Sequence, residues 1–503
     1  MFGIILAVGY TALFVFLIRK FAFFRSEGIS KNMFSFAFLA KIIFGFIFWA
    51  IYTYYSRYQN KADAFLYFED GKVIYSALFN NPLDYIKLLL GFNDASLNEY
   101  LDKTGYWVRE FNQGLYNETK TVIRFNALVC LFSFGQYHVH TVFICFLSFI
   151  GLTGIYKTFL PFLSTKKKEL FAVVFFLPSV LFWGSGVLKE GLILFGMGML
   201  IYHWVKILHE RFSTKRLILI LFFIGLLSIT KIYMLLIILP TLFAYAWVVK
   251  SSSRFALLKY LTVIILYISA GLLLPNFDLP FMLMEKQRQG IYLSRGGSYL
   301  INEKSKLFIY IKSETKERII YLKEKPGYCK IKPGVPYLNW TKDNYLDTGV
   351  VTNSIDTNTY WVFYNQEAAG SKIDIPILFP SIWSMLKISP AAFFNSLVRP
   401  HIFEAKNPLI LFSAVENSVI AIVILLTFFF HSKKPENLHL FFFCATIVIF
   451  LFVLVGITSP ILGAAVRYKM PALPFLMIAL LLILDKAKLL RKFPALKKII
   501  GTA

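Results

Sequence analysis

The feature that most restricts this chain is a succession of apolar runs close to the length of a membrane span, such as residues 217–229 followed at once by 232–249, and 417–430. About 20 apolar residues in a helix cross the ~30 Å of a bilayer's hydrocarbon. Inside hydrocarbon every backbone N–H and C=O must be satisfied within the chain, which leaves helices as the element available to such runs. Composition agrees: 57% of the 503 residues are apolar and 16% charged, where soluble domains carry about a quarter charged residues. The 54 phenylalanines suit a surface facing lipid. The sequence therefore predicts an all-α polytopic membrane protein and excludes a soluble enzyme.

The formal charge of +25 would suit a nucleic-acid binder if it formed one patch. Instead, basic residues cluster in short connections at 19–31, 166–168, 206–216, 250–259, 431–434 and 486–498. That is the positive-inside pattern, so no nucleic-acid partner is expected. Eleven spans fit between these connections, at 3–18, 34–55, 138–159, 169–186, 188–207, 216–231, 233–249, 257–274, 408–430, 437–457 and 472–485. The N-terminus is then outside and the C-terminus cytoplasmic. The first apolar run has no small-residue cleavage site and is read as a span. Lys/Phe/Ile-rich usage points to a bacterial inner (cytoplasmic) membrane. Cys130, Cys145, Cys329 and Cys444 are scattered, with neither disulfide nor metal-ligand spacing. The seven histidines lack such spacing too, so no cofactor is indicated, though a divalent metal stays open.

Domain boundaries follow. Residues 1–274 form a membrane domain with an acidic extracytoplasmic loop at 56–137. Residues 275–407 form an extracytoplasmic loop domain of mixed charge, small and mixed α/β, with Gly, Pro and β-branched punctuation over 327–365. Residues 408–503 supply the last spans and a basic tail. Interfacial helices are expected at 121–134, which carries Arg124 and Asn126, and at 380–404.

Ionisable residues near spans are costly and are functional candidates by default. Four clusters qualify, all at the outer end of this topology. In Asp63-Ala-Phe-Leu-Tyr67-Phe-Glu69-Asp70, helical spacing places Asp63, Tyr67 and Asp70 on one face; a desolvated carboxylate there suits a general base, or else the acids cap a helix. In Pro178-Ser179-Val-Leu-Phe-Trp183-Gly184-Ser185-Gly186-Val-Leu-Lys189-Glu190, Lys189 offers a cation to a phosphate and Glu190 a second acid, or the two form a helix-start ion pair. Arg288 lies in the third cluster with Glu285 and Arg295. The fourth joins Arg399-Pro400-His401 to Gly463-Ala-Ala-Val-Arg467-Tyr468-Lys469-Met470-Pro471. Arginine forks suit phosphate, although snorkelling to lipid headgroups also explains them. Lys231, at the outer end of a span, joins the set, and Lys41 is the main charge inside a span.

The acidic Asp63…Tyr67…Asp70 segment, Arg124, the turn at 178–190 and Arg467-Tyr468…Pro471 give this chain a layout that resembles the GT-C superfamily of integral membrane glycosyltransferases, which includes protein O-mannosyltransferases and the lipid A aminoarabinose transferase. The resemblance covers most of the chain as layout, although the acidic loop here follows the second span and not the first. It implies a polyprenyl-phosphate sugar donor, a glycan, lipid or protein acceptor in the envelope, and contact with membrane lipids. It further implies Asp63 as base, with Asp70 competing, and Lys189, Arg288 and Arg467 on the donor phosphate. A polysaccharide polymerase or ligase is a second enzyme reading. A transporter of lipid-linked saccharide, or a membrane component of an envelope assembly, belongs to a different class. Transporters favour internal repeats and charges at the bilayer midplane; here no repeat is detectable and the polar residues gather at one face.

Overall fold

The computed structural model describes residues 1–55, 62–92, 95–107, 117–273, 278–304, 308–325, 327–339, 347–350, 359–433, 435 and 437–496. The helices are α1 (Phe2–Lys20), α2 (Lys31–Tyr54), α3 (Asp63–Asn80), α4 (Pro82–Leu90), α5 (Asn98–Leu101), α6 (Glu118–Ser133), α7 (Tyr137–Phe159), α8 (Lys167–Phe175), α9 (Pro178–Trp183), α10 (Lys189–His209), α11 (Thr214–Lys250), α12 (Ala256–Leu273), α13 (Leu279–Arg295), α14 (Ile382–Val398), α15 (Pro408–Phe429), α16 (Leu438–Thr458), α17 (Leu462–Lys469), α18 (Leu473–Ile483) and α19 (Lys486–Lys492). The chain divides into two compact units. The first is Met1–Leu273, Phe412–Leu451 and Arg467–Ala503; the second is Leu274–Leu411 and Phe452–Val466.

Among the described residues nine helical stretches are long and apolar enough to cross a membrane, so the chain is a helical multi-pass membrane protein. The stretch Tyr137–Phe162 is buried over most of its length, whereas Phe2–Lys20 and Ser253–Leu273 expose most of theirs. Exposed Ile265, Leu266 and Leu273 on α12 form the kind of apolar surface that lipid, not water, covers. The α7–α10 contact depends on small residues. A Cβ at Gly151 would strike the Leu194 carbonyl, and one at Gly198 the Gly151 carbonyl, so the two backbones approach closely.

Eight of the expected spans coincide with these stretches. The expected span at 169–186 is instead two short helices, α8 and α9. Leu177 is extended (φ −61°, ψ 125°) and Pro178 opens α9, because a proline pushes the preceding residue out of the helical region. The spans expected at 216–231 and 233–249 form one stretch, α11, with a single non-helical residue at Lys231 (φ −161°, ψ 85°). A straight helix of 37 residues would hold its ends about 54 Å apart. Yet both ends of α11 meet the same end of α10: Arg216 pairs with Glu210, and the Tyr245 hydroxyl lies 2.8 Å from His209 Nε2. Lys231 meets the other end of α10, where it shares Glu118 with Lys189. The chain therefore doubles back at Lys231 without a loop. Thr121 Oγ1 donates to the Ile229 carbonyl at 2.7 Å, satisfying an acceptor that the break frees.

Helix α6, expected as a surface-lying interfacial helix, is buried from Thr119 to Arg124, and its fully exposed residues are Leu128, Leu131 and Phe132. A network explains the burial: His140 on α7 bonds Asn126 at 2.7 Å and Ser133 at 2.7 Å. Gly71 lets α3 close on α6, since a Cβ there would sit 2.6 Å from the Asn126 Cβ.

In the second unit a seven-stranded antiparallel sheet runs β1 (Gly297–Asn302), β2 (Phe308–Lys312), β3 (Ile319–Tyr321), β4 (Tyr328–Ile331), β5 (Pro336–Asn339), β6 (Asp347–Val350) and β7 (Tyr360–Gln366), in the order β3-β4-β7-β1-β2-β5-β6. The strand content begins well before the expected 327–365. Leu300, Ile309, Ile311, Cys329 and Ile331 form its core. A second core joins α13, α14 and α16 through Met284, Ile388, Ala392 and Ile457. Gln287 fastens it, donating to the Pro376 and Ile457 carbonyls and accepting from the Leu378 N–H.

Candidate active site

The site lies in the first unit, where α3, α6, α10, the break in α11 and the last residues of α17, from Arg467 on, meet. Helix α3 opens at Asp63 and presents Asp63, Tyr67 and Asp70. Asp70 is buried and accepts from three consecutive backbone N–H groups, Gly105 (2.8 Å), Tyr106 (2.8 Å) and Trp107 (2.9 Å). It thereby fixes the turn that aims Tyr106, whose hydroxyl donates to Asp63 Oδ1 at 3.3 Å. Tyr67 packs edge-on against the Tyr106 ring. Burial pushes the Tyr67 phenol well above its ordinary value, against the pull of nearby Lys189, so Tyr67 stays a neutral hydroxyl.

The Gly184-Ser185-Gly186 turn leads from α9 into α10, which opens with Lys189 and Glu190. Neighbouring residues on a helix point apart, and these two serve different partners. Glu190, 2% exposed, is held bidentately by Arg467: Nε donates to Oε1 at 2.6 Å and Nη2 to Oε2 at 3.0 Å. The remaining Arg467 nitrogen, Nη1, donates to Asp63 Oδ2 at 3.2 Å, and the guanidinium lies 5.9 Å from the Trp183 ring centre. One arginine thus bridges the acids of α3 and α10.

Lys189 turns the other way and pairs with Glu118 at 2.8 Å. Lys231, at the break in α11, takes the second Glu118 oxygen. The rings of Tyr233 and Tyr468 lie 5.2 and 5.3 Å from its ammonium. Burial disfavours the Glu118 carboxylate, but the two ammonium groups prevail and hold its carboxyl well below the usual range. Three cations and three carboxylates therefore form two ion-paired groups beside the apolar spans, Arg467 with Glu190 and Asp63, and Lys189 and Lys231 with Glu118.

Of the other expected site residues, Arg124 is buried on α6, stacked 5.0 Å from the Trp107 ring with Lys120 at 5.3 Å. Three lie in the second unit and have local partners. Arg288 pairs with Glu285 at 3.4 Å. Arg399 donates to Glu404 at 2.7 Å, and His401 approaches the same carboxylate at 3.5 Å. Glu118, Tyr106 and Tyr233 were not anticipated, nor was a second buried polar group in which Glu416 accepts from the Ser179 N–H at 3.0 Å and Lys469 donates to Asn417 at 3.0 Å. The signal for Glu416 was legible as an acid in an otherwise apolar span. Glu118 offered only its place at the start of a semi-apolar helix. Among the described residues no three His, Cys, Asp or Glu side chains gather as a metal site.

Chemically the site offers a partly exposed carboxylate, Asp63, side by side with fixed cations at the margin of an apolar bundle. Comparison with protein-family models, curated proteins and solved structures finds no match to this chain.

Proposed function

We infer that the chain is a membrane glycosyltransferase of the GT-C kind, moving a sugar from a polyprenyl-phosphate-linked donor to an envelope glycan, lipid or protein acceptor. In this reading it resides in a bacterial inner membrane with its N-terminus outside and its C-terminus cytoplasmic. Eleven passages result when the halves of α11 count separately and α8 with α9 make one broken span. The site then opens on the extracytoplasmic face, where lipid donors enter laterally.

The observation that carries the reading is how differently the four carboxylates are held. Asp70 is occupied by three backbone N–H groups, Glu190 is buried in a bidentate pair, and Glu118 is clamped between two lysines. Asp63 keeps 39% of its side chain exposed and makes single contacts to Arg467 and Tyr106, at 3.2 and 3.3 Å. An acid so held can reach an incoming hydroxyl, while the others organise the site.

The acceptor oxygen bonds to the anomeric carbon and gives its proton to Asp63. The bond from that carbon to the phosphate oxygen breaks, and its electron pair leaves with the polyprenyl phosphate. The leaving group gains one negative charge as Asp63 loses one, and preformed cations favour that growing charge. Arg467, which contacts Asp63, and Lys189 take this role. General-base catalysis of this type contributes about 10²–10⁴-fold.

The test is mass spectrometry of lipid-linked and surface glycans from a deletion strain complemented with wild type or Asp63→Asn. Loss of one sugar restored by wild type alone supports the transferase. Loss of polymer length would favour a polymerase or ligase, and unchanged glycans would overturn the reading.

A further inference from the structure

Lys189 and Lys231 are almost fully enclosed and converge on one carboxylate whose side chain keeps an exposed edge. Their side chains are 6% and 10% exposed, against 37% for Glu118. Two ammonium groups about a single anion, framed by the rings of Tyr233 and Tyr468, suit a phosphate oxygen pair as well as a carboxylate, because both present two acceptors on one charged centre.

The Glu118 side chain is also free to leave without unravelling its helix. The start of α6 is capped by Asn117, whose Oδ1 accepts from Thr119 (3.1 Å) and Lys120 (2.9 Å). The same turn is bolted to α11 by the bond from Thr121 to the Ile229 carbonyl at 2.7 Å. Both anchors use atoms other than the Glu118 carboxylate, so the carboxylate can swing while the backbone stays. Lys231 stands at the apex where α11 doubles back, so the site has extended backbone on one side and a helix start on the other.

Charge balance points the same way. Lys189, Lys231 and Arg467 are matched by Asp63, Glu118 and Glu190. Adding a phosphate anion beside Glu118 would leave an uncompensated charge in a poorly solvated place, which is costly. Exchanging the carboxylate for a phosphodiester keeps the balance, and exchanging it for a monoester, at about −1.5 to −2, departs from it less than adding the phosphate beside Glu118 would.

We propose that Glu118 is an internal stand-in anion on a two-lysine site for a lipid-borne phosphate ester, and that the ligand enters by displacing its carboxylate from Lys189 and Lys231. The proposal deepens the transferase reading by naming how the donor phosphate is admitted, and rests on that reading only for the donor's identity.

The experiment is equilibrium binding to the full chain in nanodiscs without acceptor, using farnesyl phosphate, phosphatidylglycerol and inorganic phosphate as probes. Relative to wild type, Glu118→Gln should bind farnesyl phosphate at least 10-fold more tightly, and Lys231→Gln at least 10-fold more weakly. A gain for farnesyl phosphate alone assigns the site to an isoprenoid phosphate. An equal gain for phosphatidylglycerol assigns it to bilayer headgroups, and a gain for inorganic phosphate places the recognition in the phosphate itself. Should Glu118→Gln fail to fold, Glu118→Asp, one methylene shorter and unable to keep both lysines, should show a smaller gain in the same direction. Binding of every probe that is unchanged or weaker in the Glu118 variants would overturn the proposal. Because no turnover is read, failure of sugar transfer leaves this result intact, and the converse also holds.

Discussion

Arg467 grips Glu190, 277 residues away in the chain, through two N–H···O contacts of 2.6 and 3.0 Å, and uses its third nitrogen on Asp63. The bridge ties the acids of α3 and α10 together through one side chain.

Breaking a buried ion pair from one side strands its partner, at a cost of about 3–5 kcal/mol. Arg467→Ala and Glu190→Gln should each lower the unfolding temperature in detergent, and Arg467→Lys should fall between wild type and Arg467→Ala because it lacks the fork. The double variant should be less destabilised than the sum of the singles, by about 0.5–3 kcal/mol, as expected of residues in contact.

Asp63 and Asp70 should separate by phenotype. Asp63→Asn is expected to reduce transfer by about 10²-fold or more with little change in melting. Asp70→Asn replaces one acceptor oxygen with a donor facing a backbone N–H, so it should cost about 1–3 kcal/mol of stability. Melting curves and transfer rates measured on the same preparations check both.

The Glu118 pair predicts a pH dependence with a definite sign. Its carboxyl is held below the ordinary range in the folded chain, whereas an unfolded Glu titrates at about 4.3. The stability it contributes is complete above that unfolded value and is lost as pH falls toward the lower folded one. The melting difference between wild type and Glu118→Gln should therefore shrink as pH falls below about 4.

Cysteine labelling tests the reversal of α11. All four native cysteines are buried, which leaves a low background. Thr214→Cys and Ser252→Cys, both at exposed positions, should react with an impermeant maleimide from the same side of the membrane. Labelling from opposite sides would mean that α11 crosses once.

Much of the candidate site was legible from the sequence, because a charge beside an apolar span is rare enough to single out Asp63, Lys189, Glu190, Lys231 and Arg467. Who pairs with whom was not. The role of Asp70 depends on a turn at 105–107 whose backbone N–H groups converge on one carboxylate, and no local pattern announces such a turn. Helix α6 looked amphipathic, yet Asn126 and Ser133 are satisfied by His140 from another helix, a long-range fact. The reversal at Lys231 carries no Gly or Pro signal and follows in the sequence only from the basic connections on either side of 216–249; the freed carbonyl is satisfied by Thr121 more than 100 residues earlier. Pro178 did mark the break between α8 and α9, but hydropathy alone ran straight through it.

The most direct test of the central claim uses the purified full chain in nanodiscs supplied with the lipid-linked saccharides that a deletion strain accumulates, with release of free polyprenyl phosphate as the readout. The account predicts release by wild type and a loss of about 10²-fold or more for Asp63→Asn, with the variant still folded by its melting curve. Equal release by Asp63→Asn, or none by wild type from that pool, would contradict it.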